Sequence, residues 1–299
     1  MVKSCVTVAL LVRFFLRIYI FFVPLQRIMY LGVLLYRAKS WVRHLLTARN
    51  TGGHGIHSPY LFELVRMILH DKNSYYAWEK IESVREQLLH DEREIAYVDY
   101  GSGVKVSGEM SKRRVCDVAQ NSLEAKKYAQ ILARLVGWLG NETSARKGLD
   151  IVELGTSLGV TTAYMASMDS RNRVVTFEGC LAVAEMAKAN WDALEISNIA
   201  CQLGKITADS LQKIERVDLA FIDANHTYEG TREYFHVLAE KTHEKSVIVI
   251  DDIHYNAEME KAWRAICDDA RVSSTIDLYQ MGMVFFDKHY WKRNYKIRL

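Results

Sequence analysis

Short apolar runs and longer amphipathic runs alternate through the second half of the chain. From residue 148 the runs "LDIVEL", "RVVTFEG", "IACQL", "VDLAFID", "SVIVIDDI", "STIDLYQ" and "GMVFFD" read as strands. Between the first five lie "TTAYMASM", "LAVAEMAKANWDAL", "ADSLQKI" and "YEGTREYFHVLAEK", which read as helices. Strands apolar on both faces, alternating with helices, predict a doubly wound α/β fold with a mostly parallel sheet of seven strands. The last two strands are joined by "MG" alone. A parallel pair needs a long crossover, so this connection predicts a C-terminal antiparallel hairpin.

Upstream the period is helical. "YLFELVRMILH", "YYAWEKIESVREQLLH" and "SLEAKKYAQILARLVGWLG" (122–140) predict helices, the last with Ser122 as N-cap and Gly140 as stop. Residues 59–146 thus read as an N-terminal helical cap, and 147–299 as the sheet domain. "TARNTGGHGIHSP" is polar and glycine-rich, so 47–58 reads as a linker.

Residues 1–46 form a basic, apolar segment. "CVTVALLVRFFLRIYIFFV" (5–23) has the length of a membrane span, but Arg13 and Arg17 interrupt it on one helical face. Several readings stay open. It spans a membrane, lies in the interface as a basic amphipathic helix, packs as an ordinary helix, or precedes a true start at Met29. A secretory signal fits poorly, because charge falls inside the apolar run and no small-residue cleavage site follows.

Charge sharpens the division. Residues 1–50 carry eight Lys/Arg and no acid, which leaves 31 basic against 36 acidic residues in the rest. A mildly acidic body argues against nucleic acid as a partner. Five widely spaced cysteines without a C-x-x-C pair read as reduced thiols of a cytoplasmic protein. If 5–23 spans, Arg27, Arg37, Lys39 and Arg43 after it place the body at the inner face of the membrane. His54 and His57 lack a third ligand nearby and read as structural rather than zinc-binding.

Two glycine turns compete for a cofactor, "YVDYGSGVKV" and "IVELGTSLGVTT". Ligands of such sheets bind at the C-terminal strand ends. The second turn follows a strand, opens directly into a helix, and is matched by Glu178 at the end of the next strand, where a carboxylate meets ribose hydroxyls. Gly101 and Gly103 lack that setting and read as a plain turn. The spacing is G-x-x-x-G, not the dinucleotide G-x-G-x-x-G. Glu153, two places before Gly155, would repel a pyrophosphate and suit a ligand with a positive end.

"VELGTSLG" with Glu178 resembles the first two motifs of class I S-adenosylmethionine-dependent methyltransferases, which have a Rossmann-like sheet and a terminal antiparallel hairpin. The resemblance implies that Glu153, Gly155, Thr156, Ser157 and Gly159 meet the methionine part of the cofactor. It implies that Glu178 holds the ribose, that Gly204 to Asp209 cover the adenine, and that Asp223 touches the cofactor or acceptor.

"AFIDANH" and "VIVIDDIHY" resemble strand ends of the catechol O-methyltransferase-like group. There the matching carboxylates, here Asp223, Asp251 and Asp252, bind a divalent ion such as Mg2+. The alternative is that these residues cap helices and bind the methionine amine without metal. That group places a Lys where this chain has His226. A His also takes a hydroxyl proton near neutral pH, so His226 or His254 is the candidate base, with Asp223 beside it. The motifs "HGIHSPY", "ELGTSLG", "FEGC", "DDIHY", "EMEKAW" and "GMVFF" resemble a family of bacterial methyltransferase-like proteins.

The expected function is methyl transfer to an oxygen of a small-molecule acceptor. The alternatives are a nicotinamide-dependent oxidoreductase and a non-catalytic cofactor-binding scaffold at the membrane. Oligomeric state is unread.

Overall fold

The computed structural model describes residues 25–71, 73, 75–98, 110–142, 147–289 and 291–299. The expectations for residues 5–23 and for the Gly101–Gly103 turn lie outside the described residues.

The chain opens with helix α1 (Leu25–Thr47) and a short 3-10 turn (Thr51–Gly53). Helix α2 (Pro59–Leu64) follows and runs into a π-type turn (Val65–Leu69). Ser58 accepts from Leu61 N and caps α2, with Pro59 at the first helical position. Next come α3 (Tyr76–Leu89), a small antiparallel hairpin of β1 (Glu94–Val98) and β2 (Met110–Arg114), α4 (Val115–Ser122) and α5 (Lys126–Glu142).

The main domain then alternates: β3 (Asp150–Leu154), α6 (Val160–Ala166), β4 (Arg173–Glu178), α7 (Leu181–Ala193), β5 (Ile199–Leu203), α8 (Ala208–Gln212), β6 (Val217–Ile222), α9 (Tyr228–Ala239), β7 (Thr242–Asp251) and α10 (Ala257–Cys267). It ends with β8 (Ser274–Asp277), β9 (Met281–Phe285) and β10 (Arg293–Lys296). Spatial order is β10-β8-β9-β7-β6-β3-β4-β5. All pairs are parallel except β7–β9 and β8–β9.

The doubly wound sheet and its antiparallel hairpin are as the pattern predicts. The sheet has eight strands rather than seven. β10 adds to the outer edge of β8, burying Tyr295 and Ile297 while Arg293 and Asn294 stay exposed. So short and charged a strand gives a weak apolar alternation.

Alternate residues of the strands feed two cores. Ile151, Leu219, Phe221, Val247, Val249 and Met283 pack with Leu61, Leu64, Leu132 and Leu135 on one face. Val152, Leu154, Ala220, Ile222, Ile248 and Ile250 pack with Phe235, Leu238, Trp263 and Ile266 on the other. Each Val, Leu, Ile, Phe or Met among them contributes about 1.5–3 kcal/mol by leaving water.

Three boundaries are corrected. Part of the expected helical cap is a layer of the domain, because α2 and α5 cover one sheet face. The expected linker 47–58 is stitched to β10: Asn50 N donates to Lys296 O (3.1 Å) and Arg298 N to Thr51 Oγ1 (3.1 Å). Ser122 ends α4 instead of capping α5, since its hydroxyl donates to Val118 O (2.8 Å), and α5 passes Gly140 to Glu142. Among the described residues, no helix is long and apolar enough to cross a membrane.

Candidate active site

β3 ends at Leu154 and the chain turns through Gly155–Gly159 into α6. Gly155 has φ +99° and Gly159 φ +76°, where side chains are disfavoured. A Cβ on Gly155 would stand 2.1 Å from the carbonyl oxygen of Asp223, and one on Gly159 would stand 2.6 Å from Trp191 Nε1. The glycines therefore let the turn press against the end of β6 and against α7. Asp223 N donates to Leu154 O (2.8 Å), which locks the two strand ends together.

Glu178, at the end of β4, closes the other side. Its carboxylate accepts from Ser157 N and Cys180 N, both at 2.9 Å. Burial pushes Glu178 up, and these backbone donors offset part of that. Gly204 N donates to Glu178 O (2.8 Å), and a Cβ on Gly204 would meet nothing within 4 Å. Ser157 holds φ 50° without being glycine, a strained backbone at the tip of the turn.

Glu153 lies beneath the turn, fully buried. Its Oε2 accepts from Thr162 (2.5 Å) and Thr176 (2.6 Å), and Thr156 continues the hydroxyl chain to Thr176 (2.6 Å). Its Oε1 has no partner. Burial raises its carboxyl to about 8, against the two threonine donors. An orphaned buried oxygen of this kind fits a ligand carrying positive charge or N–H donors.

Beside the turn, the ends of β6 and β7 deliver an acidic cluster. His226 Nε2 lies 3.2 Å from Asp223 Oδ1 and 3.9 Å from Asp252 Oδ2. The loop shape explains this return. Asn225 takes φ 51°, Thr227 caps α9 through Gly230 N, and a Cβ on Gly230 would strike Asn225 Nδ2 at 2.1 Å. Burial opposes the imidazolium, but Asp223 and Asp252 outweigh it and hold His226 above its ordinary range. Asp252, also left-handed at φ 53°, accepts from Gln280 Nε2 (2.8 Å).

Asp251 is buried, and its Oδ1 is unpartnered. Glu124, from the break between α4 and α5, reaches the same place. Burial and mutual repulsion push Asp251 well up and Glu124 to about 7. Sequence reasoning missed Glu124 because the helix was started at Ser122. Leu123–Ala125 is instead a corner, with Ala125 N donating to Glu124 Oε1 (2.8 Å).

Donor atoms of Asp223, His226 and Asp251 all lie within 4.8 Å of one another. The expected metal set named Asp252 in the place that His226 occupies; Asp252 is turned toward Gln280. His254, the other candidate base, points away from this cluster. Its Nε2 meets Asp277 Oδ2 (3.0 Å), and His44 of α1 meets Asp277 Oδ1 (3.3 Å). His44 Nε2 also bonds Ile297 O (3.2 Å), so this buried trio clasps α1 to the terminal hairpin. Glu260 of "EMEKAW" does the same work with Tyr36 and Arg43, and Trp263 fills the space that a Cβ on Gly282 would take. The basic run at 112–114 is solvated: Lys112 pairs with Glu94, Arg113 stacks on Tyr97 and Arg114 pairs with Asp117.

Residues 152–253 match the family model described as a methyltransferase domain. No curated protein matches the chain. Among solved structures, cofactor-bound Rv0187 from MTB shares 16% identity, covering 75% of this chain and 94% of its own (TM-score 0.50). A candidate caffeoyl-CoA O-methyltransferase from Staphylococcus aureus shares 14%, covering 76% and 97% (TM-score 0.50). A protein from Corynebacterium glutamicum shares 12%, covering 76% and 97% (TM-score 0.51). At these identities the likeness is one of fold. Residues 152–253 thus match a methyltransferase domain, set in a fold that the chain shares with these structures.

Proposed function

We propose that the Gly155–Gly159 turn, Glu153 and Glu178 hold S-adenosylmethionine, and that Asp223, His226, Asp251 and Asp252 receive the hydroxyl of a small-molecule acceptor. The observation that carries this reading is a set of buried or half-buried carboxyls at the strand ends that lack a basic partner. Glu153, Glu178, Asp223 and Asp251 converge there, and among the described residues none forms an ion pair with a lysine or arginine. Such a cradle attracts a ligand with sulfonium and ammonium charge and repels the pyrophosphate of a nicotinamide dinucleotide.

When bound, the cofactor supplies a methyl group on a positively charged sulfur. The chain's own part is alignment and proton removal. The Gly155–Gly159 turn and Glu178 fix the cofactor's position, which lowers the barrier by orientation. His226 Nε2 takes the acceptor hydroxyl's proton as the new carbon–oxygen bond forms, and Asp223 orients the ring and stabilises its charged form. The bound cofactor would keep the electron pair of its sulfur–carbon bond on sulfur, so the chain need supply only alignment and the base.

A second reading gives a divalent cation to Asp223, His226 and Asp251. It is favoured by the unpartnered, buried Asp251 Oδ1. An ion there would supply Lewis acidity toward the acceptor oxygen.

The test is turnover of radiolabelled S-adenosylmethionine on a panel of phenols, catechols and other hydroxyl acceptors, with and without magnesium. Methyl transfer lost in His226→Asn supports the base. Dependence on magnesium, with a chelator abolishing activity, supports the second reading. Cofactor binding without turnover on any acceptor supports a scaffold.

A further inference from the structure

Helix α1 is amphipathic the wrong way round for a helix docked on a soluble domain. Its polar side faces the protein. Tyr36 and Arg43 bind Glu260, buried His44 binds Asp277 and the Ile297 carbonyl, and Ser40 is buried on the same face. The apolar side faces outward. Leu34 (44% exposed), Leu35 (63%), Val42 (50%) and Leu46 (78%) fall in one stripe at helical spacing, with Trp41 (50%) on its border. Five large apolar side chains on one helix face form a contiguous patch, unlike the single exposed residues that any surface carries.

The polar clasp fixes the helix in this orientation. Hydrophobic burial did not select it, so the outward stripe requires an occupant. The charge around it identifies one. Lys39 flanks the stripe, Arg49 follows the helix, and residues 1–50 contain no Asp or Glu. An acid-free helix with an apolar stripe, basic flanks and a border tryptophan has the chemistry of the headgroup region of an anionic bilayer. The preceding 5–23 stretch is more apolar still and carries Arg13 and Arg17.

We propose that α1 is a membrane-docking helix. It lies in the interface of an anionic bilayer with Leu34, Leu35, Val42 and Leu46 inserted, and it tethers the domain through the Glu260 and Asp277 contacts. The proposal does not depend on the identity of the methyl acceptor.

The test is flotation of the full chain with vesicles of phosphatidylcholine alone or mixed with phosphatidylglycerol. It compares the natural chain with Leu35→Glu/Val42→Glu/Leu46→Glu and with Lys39→Glu/Arg49→Glu. All five positions are exposed, and an unchanged melting temperature checks that each variant folds. The natural chain should float with the anionic vesicles, more weakly with neutral ones, and less at high salt. The triple variant should bind at least about tenfold more weakly, and the charge variant should lose the preference for anionic lipid. Equal flotation of the triple variant would overturn the proposal and hand membrane binding to another segment. Absence of flotation, with a dimer that the triple variant breaks, would overturn it in favour of a contact between two copies.

Discussion

His226 Nε2 stands 3.2 Å from Asp223 Oδ1, three residues back along the same loop. The contact exists because left-handed Asn225 and the Thr227 cap fold the loop onto itself. If His226 is the base and Asp223 its orienting partner, His226→Asn should lower kcat about 10²–10⁴-fold and leave S-adenosylhomocysteine affinity nearly unchanged. Asp223→Asn should lower kcat less. His254→Gln should leave kcat within a few-fold, since His254 belongs to the α1 clasp. Steady-state kinetics beside binding titrations separate these outcomes.

Gly155 has no room for a side chain. A valine there would meet the Asp223 carbonyl at a Cβ distance of 2.1 Å and would be strained at φ +99°. Gly155→Val should remove detectable cofactor binding. Gly140→Ala, with nothing within 4 Å and a helical backbone, should bind normally and gain up to about 1 kcal/mol of stability. Calorimetric titration and thermal melts read both.

Glu153 gives the ligand-free protein a pH dependence. Its carboxyl is raised from 4.5 to about 8 by burial. The native state thus keeps a proton that the unfolded chain releases above about 4.5. This contribution is full below that pH and is lost as pH rises toward about 8, by at most about 1.4 kcal/mol per pH unit. Urea unfolding between pH 5 and 9 should show that decline, and Glu153→Gln should flatten it.

Asp277 is the anchor of the α1 clasp. Although burial opposes its charge, His254 and His44 hold it well below the usual carboxylate range. A depressed carboxylate contributes stability above its unfolded pKa and loses it as pH falls through the acid range. Asp277→Asn should cost about 3 kcal/mol at neutral pH, because it removes the buried carboxylate that both His44 and His254 contact. Limited proteolysis should then cut first in α1.

The sequence announced the parts that depend on periodicity. The strand–helix alternation gave the sheet, and "ELGTSLG" followed by a helix gave the turn against Glu178. It was silent where distant segments meet. Glu124 enters the acidic cluster because a helix breaks at Leu123–Ala125, and nothing in "SLEAKK" marks that break. His254 follows two aspartates at a strand end and looked like a base, yet Asp277, twenty-three residues on, draws it aside. β10 hid because it is short and its edge-strand residues are mostly polar.

On the proposed reading, the Gly155–Gly159 turn and the acidic strand ends hold S-adenosylmethionine. The most direct measurement is calorimetric titration of the full chain with S-adenosylhomocysteine, against NADH as control, repeated on Gly155→Val. S-adenosylhomocysteine should bind the natural chain and not the variant, and NADH should give no heat. Binding of NADH in its place, or undiminished S-adenosylhomocysteine binding by Gly155→Val, would overturn the assignment of this turn to the cofactor.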